Sequence, residues 1–196
     1  MESRTRKTQD RRQQSHELIL QKAAEALKTH GAEGLSVAGV MKQAGLTHGG
    51  FYAHFESKEK LIEEVIAWSA QNSAKSMKAF IEQQVECKAC SHGEALLDYY
   101  LNDAHVENRD QGCITAALLG EAPRYAPATV AESNSGLDSM RATIKWALKK
   151  NGSHDKTELV LAALVGGLQI ARLAHAADRK HKLSELRKII LGLICQ

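Results

Sequence analysis

Proline is almost absent from this chain: two in 196 residues, at positions 123 and 127. No other residue stops a helix as firmly, so nearly the whole sequence is open to helix. Strand-like alternation of apolar and polar residues is missing as well, whereas apolar spacing of three and four recurs throughout. No run of about 18 apolar residues occurs, which argues against a transmembrane helix. The basic N-terminus MESRTRKTQDRRQQSHE lacks the apolar stretch of a secretory signal. Four cysteines in a chain of this length do not suggest a disulfide framework, and the expectation is a cytoplasmic protein with reduced thiols. Arginines, histidines and carboxylates show no triad or paired-acid spacing, so no catalytic set, metal or cofactor is expected, and the chain does not read as an enzyme.

What is present is ordinary for a globular protein: 43% hydrophobic and 25% charged residues, with a formal net charge of +3. The charge is unevenly placed. Residues 1–14 hold Arg4, Arg6, Lys7, Arg11 and Arg12 against Glu2 and Asp10, which makes them a flexible basic arm suited to a polyanion. A first helix is expected from about 10–15 to His30, with Gly31 as a left-handed stop. Ser36 reads as the N-cap of a short second helix carrying Val37, Val40, Met41 and Ala44, which Gly45 ends. Thr47 starts a third, with Phe51 and Phe55 on its inner side. Ser57 caps a fourth, longer helix to about Val85. Further helices are expected over 93–108, 113–121 and 127–150, with Gly136 weakening the last. After a break at NGSHD (151–155), two apolar helices cover 155–177 and 182–195. The expected fold is all-α with about nine helices.

LSVAGVMKQAGLTHGGFYAHF, residues 35–55, reads as helix, glycine turn, helix. That arrangement places a second helix in a DNA major groove. Phe51 and Phe55 would pack this helix inward and leave Thr47, His48, Gly49, Tyr52 and His54 to the outer side. Gly49 and Gly50 cost roughly 1 kcal/mol each in helix stability relative to Ala; they make sense where a helix start must press against a sugar-phosphate backbone.

Residues 34–61, GLSVAGVMKQAGLTHGGFYAHFESKEKL, resemble the DNA-binding region of the TetR family of bacterial transcriptional repressors, and the match is dense over about 15–66. A further stretch, YYLNDAHVENRDQGCITAALLGEAPR (99–124), resembles a ligand-binding part of such proteins. The resemblance implies a helix-turn-helix domain over 15–56, a ligand-binding and dimerisation domain over 57–196 entered through the fourth helix, and a homodimer formed by the last two helices. It implies phosphate contacts from Ser36, Thr47, Gly50, Tyr52, His54 and Lys58, and base-edge contacts from His48 and Gly49, with Ala38 nearby. The basic arm, Arg4, Arg6 and Lys7 included, would add to the DNA contact. Lys58 opens a helix, where a cation opposes the helix dipole, so an external phosphate explains it better.

Trp68, Met77, Phe80, Leu97, Tyr100, Leu101, Leu118, Tyr125 and Trp146 offer apolar and aromatic surface for a small-molecule cavity. Cys113 joins them, since the resemblance sets its segment beside the effector pocket. His105 and the Arg172 region offer polar handles. In LVLAALVGGLQIARLAHA, Leu161, Leu164, Val165 and Leu168, together with Leu186 and Ile190 of the last helix, are expected to form the dimer interface around Gly166 and Gly167. CKACSHG (87–93) contains a Cys-x-x-Cys, but only His92 is added locally to a zinc site that wants four ligands. The reading is a homodimeric repressor released from a palindromic double-stranded operator by an unknown small-molecule inducer, with no membrane partner. The alternatives are a regulator sensing oxidants or electrophiles through Cys113, a helical redox or metal protein using Cys87 and Cys90, and a protein-interaction module without DNA affinity.

Overall fold

The computed structural model describes residues 2–88, 90–150 and 156–194, with the side chains of residues 2–5, 7 and 8 excluded. Arg4, Lys7, the NGSHD break and Cys195 therefore lie outside what is described. The described residues form nine α-helices, no strand, and three 3-10 turns. The helices are α1 (Glu2–Gly34), α2 (Val37–Gln43), α3 (Lys58–Lys88), α4 (His92–Tyr100), α5 (Asp103–Glu107), α6 (Ile114–Leu118), α7 (Pro127–Lys150), α8 (Thr157–Leu173) and α9 (Ala176–Ile194).

Residues 2–14 are helical rather than a flexible arm, because arginine, lysine and glutamine favour helix and neither Gly nor Pro interrupts them. Gly31 does take a left-handed φ of 68°, but the chain resumes its helix to Gly34, so the expected stop is a kink. The single helix expected over 93–108 is two. The Asn102 amide donates to the carbonyls of Asp98 and Tyr99, and its oxygen accepts the His105 N–H, which ends α4 and caps α5. Gly136 neither bends nor splits α7. A Cβ there would stand 3.3 Å from that of Ala70, so glycine lets α7 lie close against α3. The last two helices divide at Ala174–His175, earlier than expected.

Two hydrophobic cores result. The smaller joins Ile19, Ala23 and Leu27 of α1, Val40 and Met41 of α2, Phe51, Phe55, and Leu61, Ile62, Val65 and Ile66 of α3. The larger gathers Met77 and Ile81 of α3, most of α4, and the inner faces of α7, α8 and α9. Burying each such large side chain contributes about 1.5–3 kcal/mol. Helix α3 belongs to both cores, and so does α6. Ile114 and Leu118 pack into the small core while Ala116 packs into the large one.

Candidate nucleic-acid interface and cavity

Ser36 caps α2 by accepting the Gly39 N–H at 3.2 Å. The helix ends in a Schellman turn: Leu46 N–H bonds to the Met41 carbonyl, Gly45 N–H to that of Lys42, and Gly45 takes φ 71°. The segment that follows is a 3-10 turn, His48–Ala53, rather than the expected α-helix, and Thr47 makes no side-chain cap. Two successive glycines in six residues leave the α-helix little stability there. Phe51 and Phe55 are buried and stack at 5.6 Å, fixing the turn on the small core.

Ser36, Ala38, Thr47, His48 and Gly49 are exposed on the outer side of this unit, and Tyr52 is 69% exposed, so its ring does not cap the core. Neither Gly49 nor Gly50 has a positive φ. A Cβ at Gly49 meets nothing within 4 Å, and one at Gly50 makes only ordinary contacts. The protein's own packing thus requires glycine at neither position. His54 is half-buried beside His16 (5.7 Å between rings), and burial, then the His16 and Arg12 charges, push its pKa down. Lys58 opens α3 and makes no ion pair among the described residues. Arg6 is exposed on α1. A contact not foreseen is Arg12, whose guanidinium donates to the Ala53 carbonyl at 2.7 Å and ties α1 to the end of the turn. Nothing in residues so far apart in sequence signals it.

A cavity of about 340 Å³ lies between α3, α4, α6 and α7. Of the side chains expected there, Met77, Phe80, Tyr100, His105 and Cys113 line it. Trp68 and Leu118 pack with the small core, and Leu97 and Leu101 are consumed by the large one. Trp146 faces away, with His92 against its edge and the Lys78 ammonium over its ring. Ala70, Ser73 and Ala74 of α3 also line the cavity, as do Asn102 and Met140. At its polar end His105 Nδ1 bonds to the Tyr100 carbonyl (2.8 Å), and Nε2 accepts the Cys113 N–H (3.1 Å). That pairing defines a neutral imidazole with its proton on Nδ1. Burial is the main cause that lowers the His105 pKa. Burial, and then the neighbouring Cys113 thiol, hold the Tyr100 phenol well above its ordinary pKa. The Cys113 thiol lies beside its hydroxyl but not in hydrogen-bond geometry, and a thiol is at best a weak acceptor.

Two further features connect these sites. Glu121, between α6 and α7, accepts the Tyr125 hydroxyl (2.7 Å) and the Ala32 N–H (3.4 Å), latching onto α1 at the Gly31 kink. On α8, Leu161, Leu164, Val165 and Leu168 face their own protomer's core, as does Ile190 of α9. Gly167 admits Leu186 of the same chain. The outward stripe is instead Leu159, Ala162, Gly166, Ile170 and Leu173, with Ile189 on α9. Cys87 is exposed and Cys90 packs on the large core, and no three metal-ligating side chains cluster among the described residues. No helix of the described residues is long and apolar enough to cross a membrane.

An all-α chain whose N-terminal unit presents a capped helix, a left-handed glycine turn and an exposed, glycine-bearing second turn is a helix-turn-helix DNA-binding protein. Residues 19–65 match the family of bacterial regulatory proteins named tetR. Over those residues the chain is similar to the N-terminal region of these DNA-binding regulators. Solved structures agree in fold over nearly the whole chain. Escherichia coli NemR in its reduced form is 16% identical, with TM-score 0.74, covering 91% of this chain and 97% of its own. A TetR-family regulator from Agrobacterium tumefaciens is 19% identical, with TM-score 0.74 and coverages of 92% and 97%. One from Chloroflexus aurantiacus is 22% identical, with TM-score 0.72 and coverages of 91% and 95%. No curated relative matches in sequence.

Proposed function

We propose that this regulator is a cytoplasmic homodimeric repressor that holds a palindromic operator through two recognition turns and releases it when a small molecule enters the cavity. The observation that carries this reading is the double membership of α6. Cys113, Ile114 and Thr115 line the cavity, while Ile114 and Leu118 pack into the DNA-binding core. A ligand that displaces α6 by a fraction of its packing must also move that core, because packed interiors shift between discrete arrangements. In this reading Ser36, Thr47, Gly50, Tyr52, His54 and Lys58 hold phosphates, His48 and Gly49 meet base edges with Ala38 beside them, and Arg6 reaches further backbone. The outward stripe of α8 and α9 supports a two-fold dimer, its small residues at the centre and large apolar ones at the ends.

The test is protection mapping of DNA from upstream of the protein's own gene. Two protected half-sites, centred about one helical turn or a multiple of it apart, are expected, with affinity falling steeply as salt rises. Binding no tighter than to random DNA of equal length would overturn the reading.

A second reading has its own observation. Cys113 lines the cavity, so a reagent that enters it meets a thiol. Modification of Cys113 by an electrophile would then replace non-covalent binding as the trigger. Operator release by such a reagent should vanish in Cys113→Ser. Release that persists in the variant removes the thiol from the mechanism.

A further inference from the structure

The cavity's lining has a chemical bias that narrows what it can hold. Among the described residues that line it none carries a formal charge, since the one titratable base, His105, is held neutral. Ala70, Ala74, Met77, Phe80 and Met140 make most of the wall apolar. The polar groups at the far end are largely engaged already: both His105 nitrogens are bonded, and Asn102 uses its amide nitrogen and its oxygen on backbone. Beside Ser73, Tyr99, Asn108 and Thr115, which are not buried, Tyr100 is the fully buried exception. Its side chain is 1% exposed, and its hydroxyl has no partner. A buried donor without an acceptor is unfavourable and is relieved by a ligand that brings one.

The electrostatic surroundings point the same way. Arg172 packs behind Gly112, its Nη2 standing 2.8 Å from where a Gly112 Cβ would sit. The guanidinium contacts only the Gln169 side chain and the His105 carbonyl, at 3.4 and 3.3 Å, and meets no carboxylate among the described residues. Lys28 also acts on His105, but the Asp110 and Glu25 carboxylates offset its charge. The Arg172 charge behind an uncharged wall repels an ammonium and attracts the negative end of a carbonyl or carboxylate.

We infer that the cavity binds an apolar, aromatic-bodied small molecule that carries a carbonyl or carboxylate oxygen at one end and no positive charge, with that oxygen accepting the Tyr100 hydroxyl. This rests on the reading that the cavity is the effector site, and it makes Tyr100 the residue that selects the ligand's chemistry.

Four probes of similar shape test it on the full-length, DNA-free protein by calorimetry: benzylacetone, phenylpropionate, butylbenzene and phenylpropylammonium. The ketone and the carboxylate should bind about five- to tenfold tighter than the hydrocarbon, and the ammonium should bind weakest. In Tyr100→Phe, which keeps the ring and its packing, the oxygenated probes should fall to the hydrocarbon's affinity while the hydrocarbon changes little. Ala74→Phe, which fills the cavity from α3, should abolish binding of all four. The inference is overturned by an ammonium that binds as well as the ketone, by an oxygen preference that survives Tyr100→Phe, by binding that survives Ala74→Phe, or by no binding up to the solubility limit. Operator retention measured in parallel separates the two ideas. Probes that bind in the expected order without loosening DNA leave the ligand chemistry standing and defeat the induction reading. Operator release by the ammonium does the reverse.

Discussion

His105 holds the polar end of the cavity together only as a neutral imidazole. Its Nδ1–H donates to the Tyr100 carbonyl, and its bare Nε2 accepts the Cys113 N–H, so a proton added at Nε2 would set one N–H against another. Burial, assisted by the Arg172 and Lys28 charges, lowers its pKa against the opposing pull of the Tyr100 carbonyl. The denatured chain therefore takes up the proton first as pH falls. Stability is full above the ordinary histidine value and declines progressively below it. We expect the melting temperature to drop between about pH 7.5 and 5.5, and to drop less in His105→Gln. A residual slope should remain, because His54 is shifted in the same direction; an unchanged slope would mean that His105 is not the group responsible. On the DNA face the expectations divide by role. His48→Ala should cost on the order of 1–3 kcal/mol and relax preference at one base position. Lys58→Ala should weaken all sequences alike and flatten the salt slope by about 0.9 for each phosphate left without its cation. Equal loss of sequence preference in both variants would refute the division.

Helix α8 is apolar on nearly every side, and that decides which of its substitutions should separate the subunits of the proposed dimer. Leu168 is fully buried in its own protomer while Ile170 is 63% exposed. Leu168→Glu places a charge in the large core and should abolish cooperative unfolding. Ile170→Glu should leave the helix content intact and yield monomers in sedimentation, with weakened operator binding. Dimers that survive Ile170→Glu would move the interface elsewhere. The sequence could not make this choice, because 161–164–165–168 and 159–162–166–170–173 are equally good helical stripes in an all-apolar helix. By contrast the helix-turn-helix was legible, since its signals are local: the Ser36 cap, the Gly45 turn, and Phe51 and Phe55 four apart. The break at Asn102 was hidden in side-chain bonds to the backbone, which composition does not distinguish from an ordinary helical asparagine. The cavity was only partly legible, through Met77, Phe80, Tyr100, His105 and Cys113, for a different reason: it is made by what α3 leaves out. Ala70, Ser73 and Ala74 fall on one stripe with Met77, and small residues at those positions are the one sequence signal that could have placed it.

Across the whole molecule, α3 and α6 each belong to both cores, and the Glu121 latch adds a third tie at the α1 kink. A molecule joined in this way should respond to volume in the cavity whether a ligand or a side chain supplies it. Ala74 lies on α3 facing that space, so Ala74→Phe puts an aromatic ring where an effector's body would sit, against the same wall of Met77, Tyr100 and Met140. If occupancy shifts α6, the variant should behave as a permanently induced protein. Its operator affinity should fall at least tenfold, about 1.4 kcal/mol, while its melting temperature holds or rises because a void has been filled. Ala74→Ser, which adds little volume, should bind operator like the parent. The decisive comparison is fluorescence anisotropy on operator DNA beside thermal melts of the same preparations. A folded Ala74→Phe protein that excludes apolar probes from the cavity yet keeps full operator affinity would show that the cavity and the recognition turn are not coupled. A variant that loses operator affinity only in step with its melting temperature would trace the loss to overpacking rather than to a shift between two arrangements.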